Sequence, residues 1–301
     1  MKKETKGSLL LLLTAFIWGM GFVAQTSAMD AVEPYTFLGI RFLIGSAVLL
    51  PVIIINDGIH KKKGTYKKMD SQERKILILG GVLCGMALFG GAALQQLGIV
   101  CGAETGKAGF LTAMYILIVP ILGIFLKKKV GVKIWLCVLV AVVGIYFLSV
   151  KNGFSIYKED FLLLGCAFAF SIQIMLVDYF VPKTDAVRLS ALQFFVVGII
   201  GTVIMFIKES PDIHSIMEAA VPILYAGIFA SGAGYTLQVV GQQYARPTEA
   251  SLIMSLESAF ALLGGIVILH QLPDAREYIG MALMFAAIIV SQIDFTKFRK
   301  N

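Results

Sequence analysis

Residues 6–28 read KGSLLLLLTAFIWGMGFVAQTSA, and after Lys6 no charged residue occurs until Asp30. A helix of about 20 apolar residues, rising 1.5 Å per residue, spans a hydrocarbon core about 30 Å thick. Lys2, Lys3 and Lys6 precede the run, as a charged n-region precedes a signal sequence. The run is too long for a signal h-region and lacks a small-x-small cleavage site, so it is expected to stay as a first helix.

Working outward, nine similar stretches follow. With the first, the expected spans are 6–28, 34–56, 75–98, 104–126, 132–150, 160–181, 187–208, 217–243, 248–270 and 276–295. Composition agrees: 58% of the 301 residues are hydrophobic and 15% charged, with a mean hydropathy of +0.84. Soluble domains carry about 25% charged residues. An ordinary soluble enzyme, a disordered chain and a disulfide-stapled module are therefore excluded, leaving an all-α polytopic membrane protein. Cys84, Cys101, Cys137 and Cys166 sit singly in or beside apolar stretches and read as small apolar residues of helix interiors.

The net charge of +7 follows topology. With the N-terminus inside, the inner segments hold twenty Lys and Arg, among them Lys61–Lys63, Lys67, Lys68, Arg74, Lys75 and the Lys127–Lys133 loop. The outer loops hold only Lys151, Lys158, Lys208 and Arg276. That bias places both termini in the cytoplasm and the chain in the cytoplasmic membrane. No basic groove interleaved with aromatics occurs, so no nucleic-acid partner is expected.

The chain also resembles itself. A shift of 152 residues lays Trp18-Gly19 on Phe170-Ser171 and Arg41-Phe42 on Gln193-Phe194. A shift of 147 lays Gln95-Gln96 on Gln242-Gln243, and 145 lays Glu104, Leu111 and Tyr115 on Glu249, Leu256 and Phe260. Five spans per half is an odd number, so the second half must enter the membrane upside down. Inverted repeats are the plan of many secondary transporters, with substrate held near midplane between the halves.

Thr14 through Val23, Pro34-Tyr35-Thr36-Phe37 with Arg41-Phe42, Ala108 through Thr112 with Pro120, and Glu257 through Gly265 with Gly280 carry a family resemblance. Together they resemble the EamA-type members of the drug/metabolite transporter superfamily, over essentially the whole chain. The resemblance implies two five-helix repeats, 1–151 and 152–301, and carriage of small metabolites or drugs, commonly outward. The family's Gly-Glu after helices four and nine is absent; Lys127-Lys128 and His270-Gln271 stand there, and no role for a family glutamate is carried over.

Ionisable groups within spans are costly and mark function. Glu257 lies ten residues beyond Pro247, about 15 Å deep and near midplane. Arg41 lies seven residues beyond Pro34, about 10 Å deep, and as a helix-start cation reads first as a snorkelling or loop-bracing group. Lys107 stands near the outer start of the fourth span. Polar residues recur at helical spacing as Thr14, Trp18, Gly21, Gln25 and as Ser231, Tyr235, Gln238, Gln242. Gln95, Gln173 and Gln193 add amides, and Thr112 and Tyr115 share a face.

The expected substrate-binding set is therefore Trp18, Gln25, Arg41, Gln95, Lys107, Thr112, Tyr115, Gln173, Tyr235, Gln238, Gln242 and Glu257. Each amide also has a plain alternative, an interhelical hydrogen bond that holds the bundle. Gly81-x-x-x-Gly85, Gly90-Gly91 and Gly264-Gly265 read as close-packing positions, and Gly19–Gly21, Pro120 and Gly232–Gly234 as bending points.

No nucleotide-binding loop, Ser/His/Asp grouping or metal-ligand cluster is present, and His60, His214 and His270 all stand near loops. No cofactor is expected. The pattern predicts a secondary transporter for small metabolites, with amino acids or related zwitterions clamped between Arg41 or Lys107 and Glu257. Glu257 is alternatively the carrier of a coupling proton. The alternatives are a polyspecific efflux carrier for cationic drugs, a channel or a membrane-embedded enzyme.

Overall fold

The structure, a computed structural model, describes residues 3–103, 105–150, 157–269 and 273–293. Lys151, the His270-Gln271 pair and the basic tail Lys297, Arg299 and Lys300 lie outside them. Every regular element among the described residues is helical. The helices are α1 (Lys3–Ala28), α2 (Pro34–Lys62), α3 (Ser71–Val100), α4 (Thr105–Thr112), α5 (Tyr115–Phe125), α6 (Val132–Ser149) and α7 (Lys158–Phe180). Then follow α8 (Ala186–Lys208), α9 (Ile213–Glu218), α10 (Ala220–Tyr225), a π-helical segment (Ala226–Tyr235), α11 (Thr236–Gln242), α12 (Pro247–Met254), α13 (Glu257–Leu269) and α14 (Ala275–Gln292).

Among the described residues six stretches are long and apolar enough to cross a membrane: Pro34–Lys62, Ser71–Val100, Ala108–Phe125, Lys158–Lys183, Ala186–Lys208 and Ala220–Gln242, with Val132–Leu148 a shorter apolar helix. Their starts are set by local chemistry. Pro34 and Pro247 stand in the first turns of α2 and α12, where the missing N–H costs nothing. Asp70 accepts from Glu73 N–H at 2.7 Å and Asp274 from Glu277 N–H at 2.8 Å, each answered by the glutamate in a capping box. Apolar side chains such as Phe125, Phe206 and Val221 point outward, each more than 70% exposed, as a lipid-facing surface requires.

Helix pairing is regular. α2 packs along α8 and α6 along α14. α3 packs along α7, and α1 packs correspondingly along the π segment and α11. α4 and α5 pack on α7 as α12 and α13 pack on α1. Exchanging the first half of the chain for the second maps this pattern onto itself. Small residues permit the approach: a Cβ on Gly144 would lie 2.8 Å from the Gly280 carbonyl, and one on Gly280 2.6 Å from the Gly144 carbonyl. Gly81, Gly85 and Gly91 meet Leu192, Val196 and Phe170 as closely, whereas Gly90 makes only an ordinary contact. The surroundings of Gly264 and Gly265 lie outside the described residues.

The breaks in helical structure fall only partly at the Gly and Pro positions. Helix α1 continues through Gly19–Gly21 and helix α5 through Pro120, whose missing N–H leaves out one rung of the ladder. The interruptions fall at Ala113-Met114 and at Ser255-Leu256. There the ladder tightens, with Met114 N–H donating to Leu111 O and Leu256 N–H to Ile253 O, both at 3.2 Å and three residues back. Only Gly232–Gly234 coincides with a departure, the π segment. Of the cysteines, Cys84, Cys137 and Cys166 are buried as expected, but Cys101 is exposed where α3 ends.

Candidate functional site

Where the breaks meet the π segment, the bundle holds a cavity lined by polar and apolar side chains. About 60 Å³ of it is open to water centres, enough for a few waters at roughly 10–15 Å³ each. Ten of the twelve expected residues line it: Trp18, Gln25, Arg41, Gln95, Thr112, Tyr115, Gln173, Tyr235, Gln238 and Glu257. Gln242 lies one turn beyond Gln238 and accepts from it at 3.0 Å. Lys107 is on α4, but its side chain lies outside the described residues. Thr14 and Ser231, though on the same helical stripes, do not line the cavity. Thr14 Oγ1 donates to Gly234 O at 3.2 Å, and Ser231 is fully buried.

The π segment shapes one wall. Its wider turns bring Gly234 against Trp18, where a Cβ would meet the indole nitrogen at 2.6 Å. The Trp18 indole N–H donates to Ala230 O at 3.0 Å, and its ring lies 4.5 Å from that of Tyr235. Tyr235 in turn stacks near Phe42 and Phe194. The lateral walls are thus aromatic, and the ends are polar.

Two hydrogen-bond chains form those ends, one from each half of the molecule. In the first, the Arg41 guanidinium donates to Gln25 at 3.3 Å, Gln25 to Gln95 at 3.2 Å and Gln95 to Thr112 at 3.3 Å. In the second, Gln238 donates to Gln173 at 3.0 Å and Gln173 to Gln193 at 3.3 Å, while Gln242 donates to Ile174 O at 2.9 Å. The chains link α2, α1, α3 and α4 in one half and α8, α7 and α11 in the other. Arg41 and Gln193 occupy matching places in them, as do Gln95 and the Gln238–Gln242 pair.

Arg41 departs from the snorkelling or loop-bracing role. It is 4% exposed, lies over the rings of Phe37 and Phe42 at 4.9 and 4.8 Å, and its Nε has no hydrogen-bond partner. Glu257 is 6% exposed and accepts from the Tyr115 hydroxyl at 3.0 Å. Among the described residues no carboxylate pairs with Arg41 and no cation with Glu257. A cation and a carboxylate therefore share one buried cavity without neutralising each other. Tyr115 and Glu257 are also the first residues after the two breaks, so their bond joins α5 to α13 at matching points.

Gly21, which shares the helical stripe of Trp18 and Gln25, also lines the cavity, and so do Phe170, Ile174, Ala226, Ala230 and Met254, which were not expected. Apolar residues in an apolar helix give no contrast by which to single them out. Only the alignment of Trp18 with Phe170 hinted at one of them. Among the described residues no group of His, Cys, Asp and Glu could hold a metal.

The geometry has counterparts among known proteins. The family model described as EamA-like transporter family matches twice, over residues 5–150 and 157–292. An uncharacterized transporter of Archaeoglobus fulgidus is 29% identical over 96% of this chain and 86% of its own. An uncharacterized transporter of Bacillus subtilis is 26% identical over 94% and 92%. A solved crystal structure, at 17% identity, superposes with a TM-score of 0.75 over 96% of both chains and so shares the fold. The two family matches leave little of the sequence uncovered: the chain is a multi-pass membrane protein and belongs to the EamA-like transporter family.

Proposed function

We propose that the protein is a secondary carrier that moves small zwitterionic metabolites, amino acids among them, out of the cell by alternating access. The carrying observation is the unpaired Arg41 and Glu257 in one cavity. A buried charge without a partner is costly. A zwitterion answers both costs, its carboxylate at Arg41 and its ammonium at Glu257, and adds no net charge to the site. The aromatic wall of Trp18 and Tyr235 would take the apolar part of the substrate.

Alternating access rests on an architecture of ten spans in two inverted repeats, 1–151 and 152–301, with both termini cytoplasmic. The doubled family match, the exchange-symmetric packing, the paired breaks and the paired amide chains support it. Rocking one repeat against the other would expose the cavity on each side in turn. In this scheme Glu257 is also the group to carry a coupling proton when no ammonium occupies it. Trp18 and Tyr235 beside a carboxylate also suit a bulky cation, which favours drug efflux as the second reading. Arg41 in the same cavity opposes it.

Thermal unfolding of the purified protein against amino acids, nucleosides, vitamins and cationic drugs tests the proposal, with Glu257→Gln alongside. A ligand at 100 times its Kd stabilises by about 2.7 kcal/mol. Shifts confined to zwitterions and lost in the variant are expected. Shifts from bulky cations alone would replace the proposal with drug efflux. Zwitterion shifts that survive in Glu257→Gln would remove Glu257 from the site.

A further inference from the structure

A second and larger cavity lies one helical turn from the first. It is an open cleft with about 960 Å³ for water centres, on the face carrying the Lys127–Lys133 loop and Arg246. Several elements line both, α5 with Tyr115 and Val119 among them. On α7, Ile174 lines the inner cavity and Met175 the cleft. On α11, Gln238 lines the inner cavity and Gln242 the cleft. On α7 and α11 the two cavities are therefore one residue to one turn apart, and Gln238 and Gln242 of the second half's amide chain lie between them.

We infer that Gln242, with Gln238 and Gln173, is the gate between the central cavity and this cleft, and that the cleft is the substrate's passage to that side. The inference rests on the carrier reading above. Three observations carry it beyond that reading. The polar atoms of this amide layer are tied to one another by side-chain hydrogen bonds of 3.0–3.3 Å, beside the buried apolar side chains of Ile174 and Met175, so opening this part of the layer breaks amide hydrogen bonds. The layer is only partly satisfied, since Gln193 Nε2 and Gln238 Oε1, both buried, have no partner. A half-satisfied buried network gains bonds when a polar solute or water enters. The cleft, finally, is tied together at its rim. Lys128 pairs with Asp178 across the mouth, and Lys133 donates to Ser291 O and Ile293 O at 2.8 Å each.

Inverted-repeat pairing makes the Arg41–Gln25–Gln95–Thr112 chain the counterpart layer toward the opposite face. The two layers differ in charge, because Gln193 stands where Arg41 stands. The carboxylate of a zwitterion is therefore held by a cation at the far layer and meets only neutral amides at the cleft layer. Gln173, Gln238 and Gln242 are accordingly positioning residues of the passage, and their polar atoms select a hydrogen-bonding solute.

The test places Ala230→Cys, on the cavity wall, in the full chain with its four native cysteines replaced by alanine. A small cationic, membrane-impermeant methanethiosulfonate is then applied separately to each side of sealed vesicles. Gln242→Ala should raise the labelling rate at position 230 at least tenfold from the cleft side and leave the opposite side unchanged. Gln242→Leu, which refills the volume without amide chemistry, should label as slowly as the parent. If Gln242→Ala does not fold, Gln238→Ala carries the same expectation. A folded variant that labels no faster, or faster only from the opposite face, overturns the gate. Flux of a radiolabelled zwitterion through the parent protein separates the two proposals. Flux with unchanged labelling removes the gate alone, and faster labelling without flux removes the substrate class alone.

Discussion

Arg41 holds its charge with one long hydrogen bond, to Gln25 at 3.3 Å, and two aromatic faces. Cation–π contact offsets part of the desolvation, but an unpartnered Nε is a standing cost. Binding and stability should therefore respond to substitution in opposite directions. Arg41→Gln removes an unpaired buried charge and should leave the unfolding temperature equal or higher. It should weaken carboxylate-bearing ligands by about 10–100-fold, the loss of one charged hydrogen bond at about 1.5–3 kcal/mol. Titration of the variant against the parent checks both signs, and a fall in stability together with unchanged affinity would make Arg41 structural. The sequence announces Arg41 and Glu257 because charge is rare within apolar spans. It does not announce the separation of the two charges, since seven residues past Pro34 fixes depth and not direction. Gln193 shows the same limit. Its alignment with Arg41 is visible in the sequence, while its bond to Gln173 requires α7 and α8 to be set side by side.

Among the elements, α2 and α8 are the most firmly joined. The Glu209 carboxylate, just past the end of α8, accepts from Tyr35 N–H and Thr36 N–H at 2.7 Å each and from Thr36 Oγ1 at 2.8 Å. It thereby caps α2, whose positive dipole end also favours an anion. Glu33 answers by accepting from Ser210 N–H at 3.2 Å, and at the other end Arg188 pairs with Asp57 at 2.6 Å. Glu209→Ala should lower stability by about 2–3 kcal/mol, as expected for charge-assisted hydrogen bonds left unmade. Glu209→Gln should lose less, because its carbonyl still accepts. Thermal unfolding orders the three proteins, and an alanine variant as stable as the parent would deny the cap. Pro34 makes the start of α2 legible, but its cap lies 173–174 residues away and leaves no local signature. The breaks at Ala113-Met114 and Ser255-Leu256 are equally silent in sequence. Neither contains Gly or Pro, and each is followed at once by a residue that lines the cavity, Tyr115 or Glu257.

For the whole molecule, the proposed orientation can be read from a residue already in place. Cys101 is exposed where α3 ends, while Cys84, Cys137 and Cys166 are buried. α3 runs for 30 residues, about 45 Å, so one of its ends must stand clear of a hydrocarbon core about 30 Å thick. Its N-terminal end follows the densest basic stretch, Lys61–Lys75, and basic loops stay in the cytoplasm. Under the proposed orientation the C-terminal end, with Cys101, faces outward. In intact cells a membrane-impermeant maleimide should label the unmodified protein at one site, and Cys101→Ser should abolish that labelling. Labelling that appears only after the inner face is opened would invert the whole topology. It would turn over both repeats together, because α2 is capped by Glu209 and α3 packs along α7 and α8. The cleft and its proposed gate would then face outward as well, and export would require the substrate to enter through the Arg41 layer.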